Sequence, residues 1–170
     1  MDPIVTLDEL MKKSFPEQAW VVDGLIPTSA VTILSGPPAS YKTWVLLQTA
    51  ISVAKGEPLF GQFATDKTGV LIIDEENGER LIQQRMFQLG ATADLPSWFT
   101  PNKGFIVNDE NMSDILLSCK AYDIKLLIID SLVRIHGSDE NSAGDMAEVF
   151  KHLRRFVERD IAVTSSIWFI

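Results

Sequence analysis

At 170 residues the chain is long enough for one domain with a real hydrophobic core, and its 46% apolar share rules out an intrinsically disordered polymer. A formal charge of −8 argues against broad electrostatic adhesion to nucleic acid or anionic membrane, leaving room only for a local basic groove. The single cysteine, Cys119, excludes an internal disulfide, and with two histidines it offers no zinc-ligand spacing.

The opening MDPIVTLDELMKKSF carries early acids and no continuous apolar stretch, so it does not read as a secretory signal. No apolar run approaches the ~20 residues of a membrane-spanning helix. A cytoplasmic protein without a membrane partner is expected. Leu7–Lys13 predicts a short amphipathic helix, broken by Ser14-Phe15-Pro16, and Ala19–Val22 reads as extended before a Gly24…Pro27 turn. Residues 1–27 are expected to pack as an N-terminal segment on a core spanning 28–170.

Ala30–Ser35 is the first core strand, ending at Gly36-Pro37-Pro38. Lys42–Lys55 is predicted as a helix, with Val45, Leu46, Thr49, Ala50 and Val53 on one face and Gly56 as its stop. Gly69–Asp74 is a second buried strand. The next helix starts at Asn77 or Gly78, carries Leu81, Ile82, Arg85, Met86 and Leu89 at helical spacing, and ends at Gly90. Ala91–Lys103 reads as a loop, Phe105–Asn108 as a short strand, and Asn111 as the cap of a helix to Tyr122.

Lys125–Asp130 follows as a strand, then a polar loop, His136–Asn141. Ser142 with Asp145 suggests a cap for a helix to Glu158, with Met146, Val149, Phe150, Leu153 and Val157 inward. Ile161–Ile170 closes the chain as an apolar strand. Strands that are continuous apolar runs, alternating with helices, predict an α/β fold: a three-layer parallel sheet with helices on both faces. In such sheets ligands sit beyond the carboxyl ends of the strands. Gly36–Thr43, Asp74–Glu76 and Asp130 all fall there.

The segment SGPPASYKTW, Ser35–Trp44, has the spacing of a phosphate-binding loop, with Tyr41 where the second glycine usually stands. In such loops backbone N–H groups converge on phosphate oxygens, aided by the positive end of the following helix. The nucleotide-binding set is Gly36, Pro37, Pro38, Ala39, Ser40, Tyr41, Lys42, Thr43 and Trp44. Lys42 supplies a point charge for the β- and γ-phosphates, and the Thr43 hydroxyl a ligand for Mg²⁺.

KLLIIDS, Lys125–Ser131, has the form of a Walker B strand, placing the Asp130 carboxylate opposite Thr43 as the second metal residue. VLIIDEENGERLIQQRM, Val70–Met86, supplies a second acidic tip, Asp74-Glu75-Glu76, where either glutamate could orient the water that attacks a γ-phosphate. His136, and a basic helix face of Lys151, Arg154, Arg155 and Arg159, read first as solvated surface. Trp20, Trp44 and Trp98 read as packing or rim residues.

VVDGLIPTSAVTILSGPPASYKTWVLLQTAISVAKG, VLIIDEENGERLIQQRMFQLG and LLIIDSLVRIHGSDENSAGDM together resemble the RecA-like P-loop ATPases grouped with the plasmid-replication RepA-type hexameric helicases. The resemblance spans roughly Trp20 to Val163. It implies ATP and Mg²⁺ as ligands, a catalytic glutamate at the second strand's end, a central place for Ile161–Ile170 between the Ala30–Ser35 and Lys125–Asp130 strands, single-stranded DNA as a partner, and a ring of identical subunits with nucleotide between them. Register against the family, with Arg85 nine residues on, selects Glu76 over Glu75 as the catalytic acid, beside Lys42. The family's polar sensor would fall at Ile167 or Trp168, and its sheet continues past a fourth strand, so the chain reads as a C-terminally incomplete core. A nucleotide-sensing module with little hydrolysis, or an inactive fragment, are the alternative functions.

Overall fold

The structure, a computed structural model, describes residues 4–101, 103–135 and 143–167. Five strands pair in parallel in the order β3-β7-β6-β4-β5: β3 is Val31–Ser35, β4 Gly69–Asp74, β5 Ser97–Pro101, β6 Ile124–Asp130 and β7 Ala162–Ile167. The closing strand takes its expected central place between β3 and β6. Helices α2 (Lys42–Lys55) and α3 (Glu79–Gln88) cover one face, and α4 (Asp109–Ala121) and α5 (Ala143–Val157) the other.

The period-two rule of a strand explains why the middles of β4 and β6 are apolar on both faces. Val70 and Ile72 of β4, with Leu126 and Ile128 of β6, face α2 and α3. The intervening Leu71, Ile73, Leu127 and Ile129 face α4 and α5, packing with Met112, Leu153 and the fully buried Phe156. Cys119 lies in this second layer, and burial pushes its thiol up to about 11.

Helix α2 has the bounds its pattern predicts and stops at Gly56, which takes the left-handed conformation (φ 74°). At its other end Tyr41 is also left-handed (φ 63°), as is Ala39 (φ 61°). Tyr41 thus adopts the conformation glycine usually supplies at that place, at a cost of about 1–2 kcal/mol. The side chain of Tyr41, at the N-cap, makes no capping hydrogen bond to this helix.

Three readings of the sequence are corrected. The stretch Ala91–Lys103 is not all loop: Ser97–Pro101 is β5, registered on Val70–Asp74. Phe105–Asn108 is not a strand; it is irregular and held by Val107 N–H donating to Ile135 O at 2.8 Å. The cap of α4 is Asn108, whose side-chain oxygen accepts from Asn111 N–H at 2.8 Å, so the helix begins three residues earlier than expected.

Of the N-terminal segment, β1 (Trp20–Val22) and β2 (Ile26–Pro27) form an antiparallel hairpin that buries Val21, Val22 and Ile26 in the same apolar layer as α2 and the sheet. Residues 4–18 are exposed, including the short helix α1 (Leu7–Met11). No described helix is long and apolar enough to cross a membrane. The loop 136–142, with His136 and the suggested Ser142 cap, and residue Trp168 lie outside the described residues, as do the side chains of Asp145 and Ile167.

Candidate functional site

Parallel pairing brings the tips of β3, β6 and β4 to the same end of the sheet, β7 lying between β3 and β6, with Asp74 and Asp130 in direct register. The N-terminus of α2 sits over these tips. Between them lies a cleft of about 340 Å³ lined by Lys42, Thr43, Glu76, Asn77, Arg85 and Asp130, with Ala39, Ser40, Tyr41 and Trp44 on its loop side. The three sequence motifs therefore converge on one cavity.

The phosphate loop is compact around Gly36, where an added Cβ would lie 2.9 Å from Ser40 Oγ. Lys42 Nζ donates to Gly36 O and Pro37 O, both at 2.8 Å, and to Ser40 Oγ at 3.4 Å. The loop's own carbonyls thus hold the ammonium in place at the cleft wall. Thr43 donates its hydroxyl to Asp130 Oδ2 at 2.6 Å, joining residues 87 apart in sequence. Asp130 is buried, and a buried carboxylate beside a hydroxyl is the hard-oxygen pairing that suits Mg²⁺. These residues fit the metal that the sequence pattern calls for.

The three acids at the β4 tip have three different surroundings. Asp74 is fully buried and shapes the turn: its Oδ1 accepts from Glu76 N–H at 2.9 Å and Asn77 N–H at 2.7 Å, and Asn77 Nδ2 donates to both its oxygens. Burial raises its carboxyl above the ordinary range, with Asp130 adding to the shift against those hydrogen bonds. Glu75 turns away from the cleft, and its two oxygens accept from Lys103 N–H at 3.0 Å and Gly104 N–H at 2.8 Å. Glu76 lines the cleft. Burial raises its carboxyl, and Asp130 and Asp74 raise it further, while Arg134 and Lys42 pull it down.

Two residues of the cleft carried no role in the sequence reading. Asn77 ties Asp74 to α3, and its side-chain oxygen accepts from Arg85 Nη1 at 3.1 Å. The Arg85 guanidinium also lies 5.5 Å from the centre of the Trp44 ring, a cation–π contact that braces α3 against α2. In the sequence Arg85 reads as a residue of the helical pattern and a register mark, and Asn77 as a helix start. Of the remaining candidates, Trp98 stacks on Tyr122 at 5.0 Å, Arg155 pairs with Asp109 at 2.7 Å, and Lys151 with Glu148 at 3.0 Å.

A five-stranded parallel sheet with a lysine–threonine loop and an apposed strand-tip aspartate defines a P-loop ATPase domain of RecA-like fold. The family described as "AAA domain" matches residues 2–165, and the chain belongs to it. Among solved structures it is similar to the KaiC-like protein PH0186 of the hyperthermophilic archaeon Pyrococcus horikoshii OT3, with a TM-score of 0.65 at 15% identity, over 90% of this chain and 71% of that one. That likeness is one of fold. No curated protein matches.

Proposed function

We propose that the chain binds ATP at Gly36–Trp44 and hydrolyses it with Mg²⁺, as a motor-type domain resembling the RepA-type helicases that acts with single-stranded DNA as a ring of identical subunits. The observation that carries the ATPase reading is the 2.6 Å contact of Thr43 with Asp130 in a cleft shared with Lys42 and Glu76. The helicase-like role rests on the resemblance of the three motifs.

In this reading the N–H groups at the start of α2 and the Lys42 ammonium bind the phosphate chain and offset its charge. Thr43 and Asp130 would hold Mg²⁺, which when bound supplies further charge stabilisation at the phosphate oxygens. Glu76 accepts a proton from the attacking water and fixes its direction toward the terminal phosphate. Glu75, clasped by backbone N–H groups on both oxygens, keeps the β4 tip in place. Asp74 sets the turn that presents Glu76.

Titration of the protein with ATP, with and without Mg²⁺, followed by turnover with and without single-stranded DNA, tests the proposal. Tight Mg²⁺-dependent binding and DNA-stimulated turnover are expected. Binding without turnover would leave a nucleotide-sensing module, and absence of binding would end the reading.

A further inference from the structure

Asn77 is a buried amide in the cleft wall, and both ends of its side chain are engaged. Its Nδ2 donates to Asp74 Oδ1 at 3.2 Å and to Asp74 Oδ2 at 3.0 Å, while its Oδ1 accepts from Arg85 Nη1 at 3.1 Å. A carboxylate only accepts and a guanidinium only donates, so these two neighbours together fix which way the amide points. An aspartate in its place would set acid against acid. A leucine of similar size would leave the fully buried Asp74 carboxylate short of donors.

Asp74 is the link from this amide to the backbone of Glu76. The oxygen that Asn77 Nδ2 reaches, Oδ1, also accepts from the N–H groups of Glu76 at 2.9 Å and Asn77 at 2.7 Å. Those two bonds order the turn between β4 and α3 from which the Glu76 side chain enters the cleft. On the other side, the Arg85 guanidinium lies 5.5 Å from the ring centre of Trp44, on the helix that carries Lys42 and Thr43. An unbroken series of contacts thus runs from the first turn of α2 through Arg85, Asn77 and Asp74 to the backbone of Glu76. A base displaced by about 1 Å from its proton can lose about a hundredfold in rate, so the stiffness of such a series matters to the chemistry.

We infer that Asn77 is a positioning residue for Glu76: its amide, oriented by Arg85, holds Asp74 so that the β4–α3 turn presents the Glu76 carboxylate at one place relative to Lys42 and Thr43. The inference rests on the reading of Glu76 as the base of ATP hydrolysis. It gives Asn77 no part in holding the nucleotide, so binding and chemistry should separate when Asn77 is changed.

The test uses Asn77→Leu, Asn77→Asp and the exchange D74N/N77D in the full chain, with two readouts. In nucleotide-free protein, amide hydrogen exchange at Glu76 and Asn77 should quicken by about tenfold or more in Asn77→Leu, while residues 70–73 of β4 keep their wild-type rates. In single-turnover hydrolysis, counted per ATP-binding site by calorimetry so that unfolded molecules do not enter, Asn77→Leu should slow the rate by about tenfold or more with ATP affinity within a few-fold of wild type. Placed in a Glu76→Gln background, the same change should slow hydrolysis no further, because it acts only through the carboxylate already removed. Asn77→Asp should lose as much as Asn77→Leu. The exchange D74N/N77D reverses donor and acceptor, so that the new amide donates to the new carboxylate and Arg85 donates to that carboxylate in turn; it should return turnover to within a few-fold of wild type. Additive losses in the Glu76→Gln background, unchanged exchange at Glu76, or an exchange variant as slow as Asn77→Asp would each overturn the inference and leave Glu76 as the base. A wild type that binds ATP without hydrolysing it overturns the inference together with the catalytic reading on which it rests.

Discussion

Glu75 and Glu76 are neighbours in sequence with opposite surroundings, and exchanging each for glutamine separates their roles. Glu76→Gln removes the proton acceptor in the cleft and should lower turnover by about 100-fold or more with ATP binding kept. Glu75→Gln leaves that acceptor untouched and should cost far less. A single-turnover assay with both variants decides, and a reversed order would move the base to Glu75. The raised carboxyl of Glu76 also sets a pH dependence. A base works only when deprotonated, so turnover should fall as pH drops through its folded value. The acid limb should therefore lie above the 4.5 of an ordinary glutamate. Lys42→Ala should weaken ATP binding by about 100-fold, the loss of a charge-assisted contact, with melting little changed. Calorimetry showing binding within a few-fold of wild type would remove the phosphate-loop assignment.

At the scale of elements, the sequence was most legible where one physical pattern acts alone. Helix α2 and strand β4 have their expected bounds because apolar periodicity, the Gly56 stop and the Asp74 tip all agree. β5 was hidden because it starts after Pro96 and ends in Pro101, residues that weaken a strand pattern; an edge strand tolerates them because only one of its sides pairs. The cap of α4 was misplaced because Asn108 and Asn111 both fit the start of the same helix, and only Asn108 has the extended conformation of a cap (φ −149°). The partners of Glu75 were illegible for a different reason: Lys103 and Gly104 lie 28 and 29 residues away, beyond any local signal. The β4–β6 pairing offers an element-scale test. An added Cβ at Gly69 would stand 3.0 Å from Asp123 O, 3.1 Å from Trp98 and 3.2 Å from Ile124 Cα. Gly69→Ala should therefore prise the start of β4 from β6 and destabilise by about 1–3 kcal/mol, read as a lower urea midpoint at unchanged slope.

Across the whole molecule, the two apolar layers meet only through the sheet, so a cavity in either should be felt globally. Phe156→Ala, in the α5 layer, should cost about 3–5 kcal/mol and lower the melting temperature, although the Lys42–Asp130 cleft lies at the far strand tips. A melt unchanged within error would show that the α5 layer does not hold the sheet. The same layer contains the chain's one thiol. Only a thiolate is alkylated, and at neutral pH a buried thiol pushed up to about 11 supplies almost none. Cys119 is therefore silent toward iodoacetamide while α4 stays docked, and each labelling event records an excursion of a molecule out of its native packing. The labelling rate in unmodified protein becomes a clock for that opening. ATP added at a hundred times its dissociation constant should slow the clock by about a hundredfold if the opening is global, because ligand stabilises only the closed form, and should leave it unchanged if only α4 peels away.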